Sequence, residues 1–172
     1  MLAEVKVHNL KRITDERGVF AEILREDWEE LLIGDRIAQA NLSMSYPGIV
    51  RAWHRHARGQ VDYFVVVRGT IKICAYDDRE GSETKNNLDE IIASSENLQV
   101  VRIPGFYWHG TKAIGKESCI LLYVVNKLYD YKNPDEERRA WNDPTIMPTA
   151  INGKTSDPRV GRAWDWNYPP HK

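Results

Sequence analysis

The chain has 172 residues, a formal net charge of −1 and 42% hydrophobic residues, enough for one domain with a real core. Lys and Arg are interspersed with Asp and Glu, so no basic stripe points to nucleic acid and no acidic tail to a basic partner. The apolar runs are strand-sized, far short of a membrane span, and Met1 to Lys6 carries no apolar signal segment, so the expected compartment is the cytoplasm.

In chain order, strand-like runs fall at residues 4–13, 19–24, 37–45, 50–54, 61–67, 70–77, 98–103, 109–113 and 119–126. Turn signals separate them at Arg17-Gly18, Tyr46-Pro47-Gly48, Arg68-Gly69, residues 77–82, Pro104-Gly105 and Gly115-Lys116. Helical pattern is scarce. One short turn is expected at residues 28–32 and another at 135–141, where Pro134, Asp135, Glu136 and Glu137 suit a first turn. Cys74 and Cys119 lie inside apolar runs and read as buried free thiols. Residues 145–172 contain Trp164, Trp166 and Tyr168, and with Trp141 they imply an extension packed on the body or on a partner subunit, within a single 1–172 domain.

The chemistry concentrates in Arg51-Ala52-Trp53-His54-Arg55-His56, followed by Gln60 and Asp62. Strand residues two apart share a face, so His54 and His56 can aim into one cavity. His109 follows Ile103-Pro104-Gly105-Phe106-Tyr107-Trp108 and can enter the same cavity from a second strand. Imidazole serves both proton transfer near neutral pH and metal ligation. Gln39 and Asn41 share a face by period two, whereas Arg51 joins His54 only if a bulge reorients it. Short strands with paired histidine segments at one mouth give an all-β cupin, a double-stranded jelly roll with a few short helices.

With those segments placed, the chain resembles the dTDP-4-dehydrorhamnose 3,5-epimerase family of the cupin superfamily. The matching segments run in order: Asp15 to Glu22, Gln39 to Ser45, Arg51 to His54 with Gln60, Gly69 and Asp77, Arg79 to Thr84, Ile103 to Gly110, then Tyr123, Tyr129 and Trp141 to Pro144. The resemblance implies epimerisation of a nucleotide-diphosphate 4-keto-6-deoxy sugar in deoxysugar or polysaccharide synthesis, without a cofactor. It assigns His54 as the base and Tyr123 as the acid. It gives Arg51 to the sugar and diphosphate, and Gln60 and His109 to the substrate, with His109 near the keto oxygen. Arg17 and Glu22 take the nucleotide end beside an apolar face from Phe20, and Tyr129 stacks on the base. It also implies a homodimer that exchanges N-terminal strands, so that Arg17 and Phe20 act in the partner's site.

Two positions depart from the family pattern. Asp62 stands where the family carries a lysine that helps hold the keto oxygen, and His56 stands where glutamine is usual. The family's aspartate behind the base has no certain counterpart; Asp157 and Asp165 are the candidates. These departures sustain two other readings. His54, His56, Asp62 and His109 approach a metal-binding cupin set suited to a divalent transition metal. A sugar-nucleotide-binding protein without turnover is the remaining alternative.

Overall fold

The alternating apolar runs pair into two facing sheets in a computed structural model, which describes residues 1–167. One sheet holds β1 (Lys6–Asn9), β9 (Gln99–Pro104), β6 (Val61–Arg68), β11 (Cys119–Val125) and β4 (Gln39–Ser45), in that order. The other holds β12 (Glu137–Arg138), β5 (Val50–Arg55), β10 (Trp108–Ile114), β7 (Thr70–Tyr76), β8 (Asn87–Ser94) and β13 (Ala150–Ile151). A separate hairpin joins β2 (Ile13–Asp15) to β3 (Gly18–Phe20), and the one described helix is α1 (Glu29–Leu32). The expected all-β jelly roll and the helical turn near residue 30 are both present.

Period two explains which residues each sheet buries. Between the sheets, Phe64 and Val66 from β6 meet Ile71, Ile73 and Ala75 from β7 and Val101 and Ile103 from β9. The intervening residues Val61, Tyr63 and Val65 face outward beneath Leu10, Leu31 and Leu32. The second sheet is covered outside by Ile146, Ile151, Trp164 and Trp166, which pack on Trp53, Cys74, Tyr76, Leu88 and Trp108. Tyr168 lies outside the described residues. Both cysteines are buried and free.

Two elements differ from the sequence reading. Residues 135–141 form no helix. Glu137 and Arg138 pair with Arg55 and His54, and Trp53 and Arg139 exchange backbone hydrogen bonds of 3.2 and 3.0 Å. An isolated helix of two turns is marginal in water, while the open edge of β5 offers ready partners. Strand β8 escaped notice because its alternation is broken by acids with structural partners. Asp89 accepts from the Leu2 amide at 2.6 Å, and Glu90 pairs with Lys72 at 3.2 Å and Arg159 at 2.7 Å.

The turn between β7 and β8 is a polar clasp on the fully buried Asp77. Its carboxylate accepts from Arg79 at 2.8 Å, Ser82 at 2.6 Å and Thr84 at 2.7 Å. Arg79 also lies over the rings of Phe106 and Tyr107, at 4.3 and 4.8 Å, which ties this turn to the loop before β10. Burial pushes the Asp77 carboxyl up, but the donors outweigh it and hold it below the usual carboxylate range. A depressed folded-state value stabilises above the unfolded value and loses that contribution as pH falls. Urea unfolding should therefore show a steady Asp77 contribution above about pH 5 that fades below about pH 4. Asp77→Asn should cost about 1–3 kcal/mol at pH 7, narrowing in acid; a gap independent of pH would contradict this account.

Candidate active site

One mouth of the barrel opens into a cavity of about 640 Å³. His54, His56, Gln60, Asp62, Gln39, Asn41, Arg51, Tyr123 and Tyr129 all line it, as the sequence reading expects. Arg51 reaches it through a bulge. His109 pairs with His54 and Thr111 with Arg51, so β5 carries one residue more than β10 over that interval. Arg51 then donates to Ser45 Oγ at 2.9 Å and to the Met44 carbonyl at 3.1 Å, and has no carboxylate partner among the described residues.

Asp62 neither turns away nor pairs with an arginine. It is buried at 2% exposure, and its Oδ2 lies 2.9 Å from His109 Nε2 and 3.5 Å from His56 Nε2. Gln60 donates its amide to Oδ1 at 3.0 Å and lies 3.1 Å from His56 Nε2. On their far sides, His109 Nδ1 faces the Tyr107 carbonyl at 2.9 Å and His56 Nδ1 faces the Asp135 carbonyl. Burial works to raise the Asp62 carboxyl, but the two imidazoles outweigh it and keep it below the usual range. For His56, burial opposes the charge, and Asp62 with the Asp135 carbonyl more than restores it, so its pKa rises.

His54 differs. Its ring packs edge-on against His109, centroids 4.3 Å apart, and makes no hydrogen bond among the described residues. Burial first, and then the neighbouring His109, hold it well below the usual histidine range, so the neutral ring is favoured. Across the cavity, Tyr123 stands on β11 of the other sheet. Burial, and then the Asp62 charge, push its phenol up, so it stays protonated.

Several expected residues stand elsewhere. His109 is wholly buried behind Asp62 and His54, so it acts on the cavity through them. Arg17, Phe20 and Glu22 lie on or beside the exposed β2–β3 hairpin, where Arg17 pairs with Asp15 and Glu22 with Arg25. Neither Asp157 nor Asp165 backs His54. Asp157 bonds Arg159 at 2.9 Å beside Trp164 on the outer face of the second sheet, and Asp165 is exposed. The carboxylate in the histidine group is Asp62. The sequence reading also missed Tyr131, Glu136, Arg138 and Arg139, which line the mouth. Arg139 and Arg55 sandwich Trp108 at 4.2 and 4.6 Å, and Asp78 ties both to that ring's Nε1. The close run of Glu and Arg at 136–139 was the available signal, and assigning it to a helix hid it.

Residues 1–157 match the family model described as dTDP-4-dehydrorhamnose 3,5-epimerase. The chain belongs to the dTDP-4-dehydrorhamnose 3,5-epimerase family. It is thereby an isomerase of the carbohydrate epimerase class. It is 48% identical over 135 residues, 78% of this chain and 85% of the relative, to the probable low-salt glycan biosynthesis epimerase Agl13 of Haloferax volcanii. It is 36% identical over 146 residues, 85% of this chain and 94% of the relative, to the spore coat polysaccharide biosynthesis protein SpsL of Bacillus subtilis. Among solved structures it resembles the epimerase RmlC of Legionella pneumophila, in complex with dTDP-4-keto-L-rhamnose. That match has a TM-score of 0.76 and 27% identity, covering 91% of this chain and 87% of the other. No helix among the described residues is long and apolar enough to cross a membrane.

The family's glycine in the histidine-glycine pair has a local reason here. A Cβ on Gly110 would meet Ala52 Cβ at 2.3 Å and the Arg51 carbonyl oxygen at 2.8 Å, directly beneath the bulge. Gly110→Ala should therefore destabilise the fold by about 1–3 kcal/mol and, through displacement of Arg51, which the resemblance gives to the substrate, raise KM. Chemical denaturation and KM would read the two effects; a variant of unchanged stability would mean that the bulge tolerates displacement.

Proposed function

We propose that this chain epimerises a nucleotide-diphosphate 4-keto-6-deoxy sugar, with His54 as the base and Tyr123 as the acid. The observation that carries the reading is their placement on opposite walls of one cavity, His54 with no hydrogen bond among the described residues to occupy its ring. A C–H beside a ketone is acidic because its electron pair can move onto the carbonyl oxygen as an enolate. His54 takes that proton, the double bond forms between the two carbons, and the oxygen becomes anionic. Tyr123 then delivers its proton to the opposite face of the carbon; the phenolate is reprotonated from solvent, and His54 releases its proton to solvent.

Arg51, without a carboxylate partner among the described residues, suits the diphosphate, since guanidinium matches phosphate oxygens in a fork. Tyr129 and Tyr131 meet edge to face at 5.0 Å at the mouth and offer an aromatic surface to the nucleotide base. Gln39 and Asn41 bond each other at 2.7 Å and present polar edges to the sugar.

The second copy of the chain belongs to this reading. On β4, an edge strand, Leu42 and Met44 are 70% and 50% exposed, and Phe20 on the nearby-in-sequence hairpin is 62% exposed. An apolar sheet face of this kind favours association. It supports a homodimer in which Arg17 and Phe20 reach the partner's cavity.

Two outcomes test these statements. In D₂O, His54→Asn should lower deuterium incorporation next to the ketone by about 10²–10⁴-fold, with nucleotide affinity kept. Tyr123→Phe should retain incorporation while losing net inversion, and undiminished exchange in His54→Asn would remove His54 as the base. By light scattering, the protein should have twice the mass of its 19.9 kDa chain, and Leu42→Glu should shift it to the single chain. A wild-type monomer at all concentrations would exclude the exchanged dimer.

A further inference from the structure

We infer that His56, Asp62 and His109 form a binding site for one divalent transition-metal ion, on the cavity floor beside His54. The inference rests on the epimerase reading for its role in the reaction, but its geometry stands apart from that reading. Three strands converge here: His56 follows β5, Asp62 is the second residue of β6 and His109 the second of β10. The candidate ligand atoms of His54, His56, Asp62 and His109 all lie within 4.8 Å of one another.

The orientation of the two rings is the deciding feature. His109 and His56 each direct Nδ1 at a backbone carbonyl, of Tyr107 and Asp135, and turn Nε2 inward to Asp62 Oδ2. A metal-bound histidine shows this arrangement, because a carbonyl that takes the Nδ1 proton leaves the Nε2 lone pair for the ion. Gln60 holds Oδ1 of the same carboxylate, which leaves Oδ2 as the inward ligand. Its amide also lies against His56 Nε2, and that weaker contact would yield to the ion. The spacings suit the purpose. Tetrahedral ligands at about 2.0–2.1 Å from a metal lie about 3.3–3.4 Å apart, and the two Oδ2–Nε2 distances of 2.9 and 3.5 Å bracket that value. Two imidazoles and one carboxylate favour zinc, manganese, iron or cobalt over the all-oxygen preference of calcium and magnesium.

His54 is left out of the ligand set on the same criterion, since no carbonyl among the described residues fixes its ring. It stays available as the base next to the ion. The consequence for the reaction is one of charge. The resemblance places a lysine at position 62 to hold the keto oxygen, and this chain has a carboxylate there. A divalent ion on one carboxylate and two neutral imidazoles leaves a net charge of +1, the charge that the lysine would have supplied for a developing enolate.

The test uses the full chain, dialysed against a chelator and titrated with cobalt(II) chloride. Visible d–d absorption and calorimetry should both report one equivalent per chain. Asp62→Asn and His109→Asn should weaken binding at least about 100-fold, with folding followed by circular dichroism. His56→Gln, which puts at that position the glutamine usual in the family, should also weaken it and keeps the test valid if a core variant unfolds. His54→Asn should bind cobalt within about threefold of wild type. Absence of saturable binding would overturn the site and leave the cluster held by protons alone. Equal loss in His54→Asn would overturn the three-ligand assignment. Because these readouts do not involve turnover, they separate failure of the metal site from failure of the epimerase reading.

Discussion

Everything at the mouth of this barrel is arranged around a buried carboxylate. An unpaired charge at 2% exposure would cost several kcal/mol, so Asp62 can exist only where donors from other segments reach it. Gln60 comes from the same strand's entry, His56 from the end of the preceding strand, and His109 from β10 across the sheet boundary. Meeting that demand fixes the loops. The His56 amide donates to the Gly105 carbonyl at 2.7 Å, and the Gly105 amide to the Gln60 carbonyl at 2.8 Å. A Cβ at Gly105 would stand 2.3 Å from that oxygen and 2.8 Å from His56 Cβ. The glycine is thus a condition for bringing the two histidine segments together.

Much of this was legible in the sequence because period two survives burial on two faces. The strands that carry the site alternate cleanly enough for His54 and His56 to be placed on one face and Arg51 to require a bulge, and the structure has that bulge. What was lost has a common cause. The strand at 87–94 and the short strand at 137–138 owe their places to partners far along the chain, namely Leu2, Lys72 and Arg159 for the first and β5 for the second. Local pattern carries no record of such partners, and with four carboxylates or arginines in a row a helix is as good a local reading as a strand. His109 shows the same limit in the site. Its position on β10 followed from spacing, but its depth behind Asp62 depends on how closely β5 and β10 approach, which Gly110 and Ala52 decide.

An acid at position 62, where the resemblance places a lysine, changes how charge is handled in the cavity. A lysine ammonium would bring a mobile positive charge to the substrate. Asp62 instead gathers fixed donors around itself, and its two imidazole partners are oriented from behind by main-chain carbonyls. Fixed dipoles and charges reorganise little as negative charge develops on a substrate, which is where electrostatic catalysis gains most. The acid at this position and the histidine at 56 make sense as a pair of changes, since each lies against the other at 3.5 Å.

The architecture also explains why a double sheet suits inversion of a carbon centre. Proton removal and delivery must occur on opposite faces of one sugar ring, so the base and the acid must be separated by the thickness of that ring. Side chains from one sheet all approach from one side. Two sheets packed face to face lie about 10 Å apart, and where the core side chains stop, that gap becomes a slot for a ring with a wall on each face. In this chain the filled part of the gap ends at Phe64 and Leu121, and the next residues toward the mouth are Asp62 on β6 and Tyr123 on β11, facing His54 on β5. The same alternation that builds the core thus delivers, one step further along each strand, Asp62 and the proposed acid Tyr123 to the wall facing the proposed base His54.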